Sequence, residues 1–219
     1  VVAEGRRVVR YHRNVVLEWT ADGGVRPRPL GALALGEPIG PAASRPARPT
    51  IVDLTAALPS HPTERYPRRP LAQLRTLVLH HSGADPRIDA QAIAREHVSV
   101  NGWPGIGSHY CIDPDGLIVQ GQELTVSSFH VAQFNPVAVG VALLGDLRAQ
   151  PPPAAQLEAC AALLAWLCAD LGLPSQAVRG HGELVATDCP GGTYAATWRA
   201  ELLAELRRML RTPASADPA

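Results

Sequence analysis

Leu77-Val78-Leu79-His80-His81-Ser82-Gly83 is a short apolar run that gives way to two histidines and a glycine. Three aliphatic residues in succession suit a strand covered on both faces, so the segment reads as a buried strand with His80 at its C-terminal end. Outward from it, regular elements alternate. Asp89 to Val98 carries a helical pattern, with Asp89 placed to cap its N-terminus. His109 to Asp113 and Leu117 to Gln120 flank Pro114-Asp115-Gly116, a hairpin signal. Val137 to Leu144 is apolar and β-branched and ends at Gly145, as a central strand would. From Pro153 to Leu171, the residues Leu157, Cys160, Leu164, Leu167 and Leu171 keep helical spacing, and Gly172 follows as a stop. Tyr194 to Arg211 places Trp198, Leu202, Leu206 and Met209 on one face of a last helix. Strands interleaved with helices predict an α/β fold with a central mixed β-sheet flanked by helices.

The N-terminal third reads differently. Residues 1–36 hold the β-like runs Arg7-Val8-Val9-Arg10-Tyr11 and Asn14-Val15-Val16-Leu17-Glu18-Trp19, followed by a turn at Asp22-Gly23-Gly24. This is a short β-like extension, too small to bury much core by itself. Residues 37–69 are rich in Pro, which lacks a backbone donor and resists regular structure, so they read as a linker or packing arm. Ile51-Val52-Asp53-Leu54 within it is suited to an edge strand. The principal domain is expected over residues 70–212, with a disordered tail over 213–219.

Twenty basic residues balance twenty acidic ones, which argues against electrostatic capture of nucleic acid or an anionic membrane. All the basic residues are Arg, which we ascribe to coding bias. No uninterrupted apolar run approaches the ~18 residues that suggest a membrane span. The chain starts at Val1 without a basic-then-apolar leader, so an export signal is expected to be absent or already removed. Cys111, Cys160, Cys168 and Cys189 show no CxxC spacing and no disulfide framework, and Cys160 and Cys168 read as buried free thiols.

Chemistry concentrates in three places: His80 at its strand end, Gly180-His181-Gly182-Glu183, and Thr187-Asp188-Cys189-Pro190-Gly191. Imidazole nitrogen and thiolate sulfur are ligands that zinc prefers, and three of them leave a fourth position open, as catalytic sites do. His181 and Cys189 lie eight residues apart among glycines and prolines that exclude a continuous helix, so a loop can bring both to one ion. Each residue alone also has a plain structural reading, and these residues do not by themselves decide between the two. A nucleoside-type deaminase is excluded because the HxE at His181 lacks a following PCxxC. A cysteine peptidase built on Cys189 and His181 would be separated by metal content.

Residues 66–211 resemble the amidase family shared by phage amidases and peptidoglycan recognition proteins. The matching pieces come in the family's order: the strand ending in His80, Gly102-Trp103-Pro104-Gly105-Ile106-Gly107, His109-Tyr110-Cys111-Ile112-Asp113-Pro114-Asp115-Gly116, Phe129-His130 with Asn135, Val139-Gly140-Val141, then Gly180-His181 and Cys189-Pro190. The resemblance implies zinc held by His80, His181 and Cys189, with His81 a neighbour facing the other way because strand side chains alternate. It implies hydrolysis of the amide between N-acetylmuramic acid and L-alanine in peptidoglycan, with zinc polarising the carbonyl and activating water.

Two familiar residues are replaced. A Tyr that precedes the position of His109 in many relatives is Ser108 here, and a Glu that another branch carries is Ala142. Thr187 stands where the phage branch has Lys, as in catalytic recognition proteins, and its hydroxyl can still serve an oxyanion. Thr187 and Ser108 are thus the candidate catalytic residues, and His130, Asn135 and Trp103 the candidate substrate-groove residues. The expected partner is peptidoglycan or a muropeptide, with no nucleic acid and no membrane span, acting as a monomer outside the cell or in its envelope. The alternative is a peptidoglycan-binding recognition module with little or no catalysis, which the Ser108 and Ala142 departures favour.

Overall fold

The computed structural model describes the strand backbones within residues 1–44 and all of residues 45–211. The Asp22-Gly23-Gly24 turn, most of the Pro-rich stretch before Arg45 and the 213–219 tail lie outside the described residues. The chain divides into two compact units, Val1–Ala43 and Ser44–Ala219.

The first unit contains β1 (Val2–Glu4), β2 (Arg7–His12), β3 (Val15–Trp19) and β4 (Val25–Arg28), joined as an antiparallel sheet in chain order. Two of these strands are the β-like runs read from the sequence.

The second unit is built on a six-stranded mixed sheet flanked by helices. Its strands are β5 (Ile51–Asp53), β6 (Thr76–His81), β7 (Tyr110–Ile112), β8 (Ile118–Gln120), β9 (Ala138–Leu143) and β10 (Val178–Gly180), in the order β10-β6-β9-β7-β8-β5. β10, β6, β9 and β7 run parallel, β8 returns antiparallel to β7, and β5 lies parallel to β8 at the edge. The apolar segment after Val137 is therefore the central strand, and Ile51–Asp53 is the edge strand its residues suggested.

Alternation along the strands gives the sheet two different faces. Leu77 and Leu79 of β6 and Val139, Val141 and Leu143 of β9 join the main core with the helices α2 (Ala154–Leu171) and α3 (Arg199–Arg211). Leu163, Leu164, Leu167, Leu202 and Leu206 complete that layer, all of them 0 or 1% exposed. On the opposite face β9 presents only small residues, Ala138, Gly140 and Ala142. Ala142 packs there with Ile93 and Ala94 of α1 (Ala90–Ser99), which is capped by Asp89 accepting from the Ala92 N–H at 2.7 Å. Of these, Ala142 borders a cleft, and the space over Gly140 is taken by His130.

By length and composition, α2 is apolar enough to cross a membrane, a property hidden in the sequence by Gln156, Glu158 and Asp170. Half of it is buried within the domain, where it acts as the core helix. It stops at Gly172, whose φ of 65° is the left-handed conformation that glycine adopts without steric cost. A single π-type turn at Tyr194–Trp198 leads into α3, and Tyr194 and Trp198 stack edge-on at 4.7 Å.

Candidate metal centre and cleft

His80 and His181 converge because their strands are parallel neighbours. β10 is in register with β6 so that Gly180 sits opposite Leu79; the next residue of β6 is His80, and His181 follows directly on the end of β10. The two imidazole centroids are 4.5 Å apart. Both leave the C-terminal ends of parallel strands, the edge at which open α/β sheets bind their ligands. Cys189 arrives from the following loop, where the Gly182 N–H donates to the Cys189 carbonyl at 2.7 Å. Its Sγ accepts the His81 backbone N–H at 3.4 Å and lies 3.7 Å from His80 Nδ1. One potential ligand atom from each of His80, His181 and Cys189 lies within 4.8 Å of the others.

The turn carrying His181 is held from behind by Glu183. The Gly180 N–H and the Tyr194 hydroxyl both donate to Glu183 Oε2, at 2.6 and 3.1 Å, and Arg199 donates to Oε1 at 3.1 Å. Glu183 is thus tied up in holding the loop. His81 turns away from the cluster, as alternation requires, and its Nδ1 accepts the Leu147 N–H at 3.0 Å.

The donor set fits a divalent cation such as zinc. A tetrahedral ion with bonds of about 2.0–2.3 Å separates its ligand atoms by roughly 3.3–3.8 Å, which the 3.7 Å Nδ1–Sγ spacing already meets. Burial, followed by the neighbouring histidines, holds the His80 imidazole well below its ordinary value, and burial lowers His181 as well. Burial also pushes the Cys189 thiol up to about 11, against the His81 N–H that favours its thiolate. Without a cation, all three groups are therefore held neutral. Neutral imidazole is the form that ligates metal, and coordination draws the proton off a thiol.

Beside the cluster is a cleft of about 200 Å³, lined in part by His80, Trp103, Ser108, Phe129, His130 and Ala142. Trp103 packs on His97 at 4.7 Å and meets Phe129 edge-on at 6.0 Å, forming an aromatic wall. Ser108 is only 8% exposed. Glu96 is the one carboxylate among the lining residues. Thr187 is exposed, and its Oγ1 accepts the Cys189 N–H at 3.3 Å, which leaves the hydroxyl proton free to be donated elsewhere. Asn135 stands outside this lining. Its Oδ1 accepts the backbone N–H of both His130 and Val131, at 3.0 and 2.8 Å, and so shapes the loop that carries His130.

No sequence signal points to Arg69, which is 4% exposed and donates to the Leu124 and Ala138 carbonyls at 3.0 and 2.7 Å and to the Asn135 carbonyl. Its Nη2 also lies 2.7 Å from Nε2 of the fully buried His109. This guanidinium ties the residues before β6 to the loops beneath the cleft. Its place within a Pro-rich segment disguises it as a linker residue.

An α/β sheet with a His-His-Cys cluster at the C-terminal ends of its parallel strands, beside an aromatic-walled cleft, defines the class. The chain belongs to the N-acetylmuramoyl-L-alanine amidase family (Amidase_2), whose profile matches residues 70–192. It is 34% identical over 97 residues to peptidoglycan-recognition protein LB of Drosophila melanogaster, covering 44% of this chain and 42% of that protein. It is also 34% identical over 103 residues to an N-acetylmuramoyl-L-alanine amidase of Sus scrofa, covering 46% of this chain and 17% of that one. The chain thus spans less than half the length of these two relatives. Among solved structures, the endolysin amidase LysCS from Clostridium intestinale shares the fold, with a TM-score of 0.61 at 24% identity over 74% of this chain and 98% of that one.

Proposed function

We propose that this chain is a zinc-dependent N-acetylmuramoyl-L-alanine amidase acting on peptidoglycan or its muropeptides, outside the cell or in its envelope. The observation that carries the reading is the convergence of His80, His181 and Cys189, with ligand atoms within 4.8 Å of one another, at the edge of a cleft in a domain of this family. Zinc bound there would supply Lewis acidity towards the amide carbonyl and lower the pKa of water.

The chain's own groups do the rest. Trp103 and Phe129 offer apolar faces to the substrate along the cleft wall, and Ser108 gives its floor a small polar group. The free proton of the Thr187 hydroxyl, next to Cys189, can be donated to an oxygen that gains negative charge as the amide carbonyl becomes tetrahedral. Ser108 and Ala142, where relatives carry Tyr or Glu, leave the cluster without the two familiar candidates for general base or water orientation. General-base help is worth ~10²–10⁴-fold, so the expected turnover is measurable but modest. Those same two residues favour the second reading, a recognition module that binds muropeptide and releases no stem peptide.

Purified cell wall incubated with zinc-loaded protein separates the two readings. Release of free stem peptide that stops on chelation and returns with zinc supports the amidase, whereas binding without release at every pH tested supports the recognition module.

A further inference from the structure

His130 touches the proposed metal centre from the side away from Cys189, and its hydrogen bonds leave little freedom in how the protons are placed. His130 Nε2 lies 3.4 Å from the Ala138 carbonyl oxygen, which can only accept. A neutral His130 therefore carries its proton on Nε2, and its Nδ1 is an acceptor. That Nδ1 lies 3.0 Å from His80 Nε2, so His80 must donate from Nε2. The remaining nitrogen of His80, Nδ1, is left with a lone pair and faces Cys189 Sγ at 3.7 Å.

The geometry is built in from two directions. Gly140 supplies the space: a Cβ there would lie 2.9 Å from both Cγ and Nδ1 of His130, so the imidazole occupies the volume a side chain would fill. Asn135 fixes the backbone by accepting the N–H of His130 itself.

We infer that His130 is a positioning residue: it holds His80 in the Nε2–H tautomer and so aims the Nδ1 lone pair at the site shared with His181 and Cys189. The inference rests on the proposed metal centre for its purpose, but the tautomer belongs to the metal-free protein. Metal-bound histidines generally donate their other ring N–H to an acceptor, and losing such a partner costs ~10–100-fold in metal affinity. Here the acceptor would be a second imidazole, itself oriented by a backbone carbonyl.

Two substitutions separate the acceptor from the packing. His130→Phe keeps a ring over Gly140 but offers no acceptor, whereas His130→Asn can place an amide oxygen near the position of Nδ1. The tautomer of His80 is read by long-range proton–nitrogen NMR on metal-free protein at pH 7.5, and zinc affinity by competition with a chromophoric chelator. We expect wild type to show His80 as Nε2–H. His130→Phe should lose that preference and bind zinc ~10–100-fold more weakly, and His130→Asn should recover both. The inference is overturned if wild-type His80 carries its proton on Nδ1, or if His130→Phe changes neither tautomer nor affinity. A wild type that takes up no zinc would count against the metal centre alone, because the tautomer measurement still decides the role of His130.

Discussion

Replacing the sulfur of Cys189 with oxygen alters one atom and removes the softest donor of the proposed centre. Cys189→Ser should therefore weaken zinc binding by more than the ~10–100-fold typical of losing an outer hydrogen-bond partner, as chelator competition would show. Unchanged affinity would remove Cys189 from the ligand set. Thr187→Ala probes a later event. If the hydroxyl serves the developing oxyanion, kcat should fall by about 10²-fold or more with little change in KM, whereas a rise in KM alone would make Thr187 a ground-state contact. His80, His181 and Cys189 are conspicuous in the sequence as His and Cys at a strand end and in a Gly-Pro loop, but it is the family resemblance that joins them into one ligand set and singles out Thr187. Arg69 and the His130–His80 hydrogen bond are not. Arg69 donates to carbonyls 55 and 69 residues away, and no local pattern records which carbonyls a guanidinium will meet. The family resemblance assigns Asn135 to the groove, and its amide oxygen accepts two backbone N–H groups of the His130 loop, a contact the sequence does not show.

Elements show the same division between local and distant information. The capping aspartate of α1, the Pro-Asp-Gly hairpin and the Gly172 stop are encoded within a few residues, and all are legible. The pairing of β10 with β6 joins segments about a hundred residues apart in sequence, and only that register brings Gly180 opposite Leu79 and the two histidines together. β5 is legible as an edge strand from its own residues even inside the Pro-rich stretch, but its pairing with β8 is not. Just before Thr50, the chain reaches helix α2 through two side chains: Arg48 lies over the Trp166 ring at 5.2 Å, and Arg45 is 3.9 Å from Asp170. Exposed interactions of this kind contribute at most about 1 kcal/mol each. A chain beginning at Thr50 should therefore fold, retain β5 and bind zinc with wild-type affinity. Loss of cooperative unfolding in that variant would instead make the N-terminal segment part of the core.

For the molecule as a whole, acid should be destabilising. His109 is 0% exposed, and its Nδ1 accepts the Gly140 N–H at 3.0 Å. Burial first, then the neighbouring His130 and Arg69, hold its imidazole well below the ordinary value, against the Val126 carbonyl, which favours the protonated ring. The unfolded chain titrates this group near pH 6.5, so below that pH the unfolded state binds the additional proton and folding loses stability. The contribution is complete above about pH 6.5 and declines as pH falls towards the folded-state value. Urea midpoints should therefore drop between pH 7.5 and pH 5, and a His109→Gln variant that still folds should show a shallower drop. An equal slope in both would place the acid sensitivity elsewhere.

Hydrolysis of a defined muropeptide in ¹⁸O-labelled water tests the amidase assignment most directly, because it reports which single bond is cut. Zinc-loaded protein should release a peptide with a free N-terminal L-alanine and leave a single ¹⁸O in the lactyl carboxylate of the muramic acid, as mass spectrometry would show. Chelator should abolish both products. Intact muropeptide after prolonged incubation with zinc-loaded protein that binds it, or label found in the peptide instead of the lactyl group, would contradict the assignment.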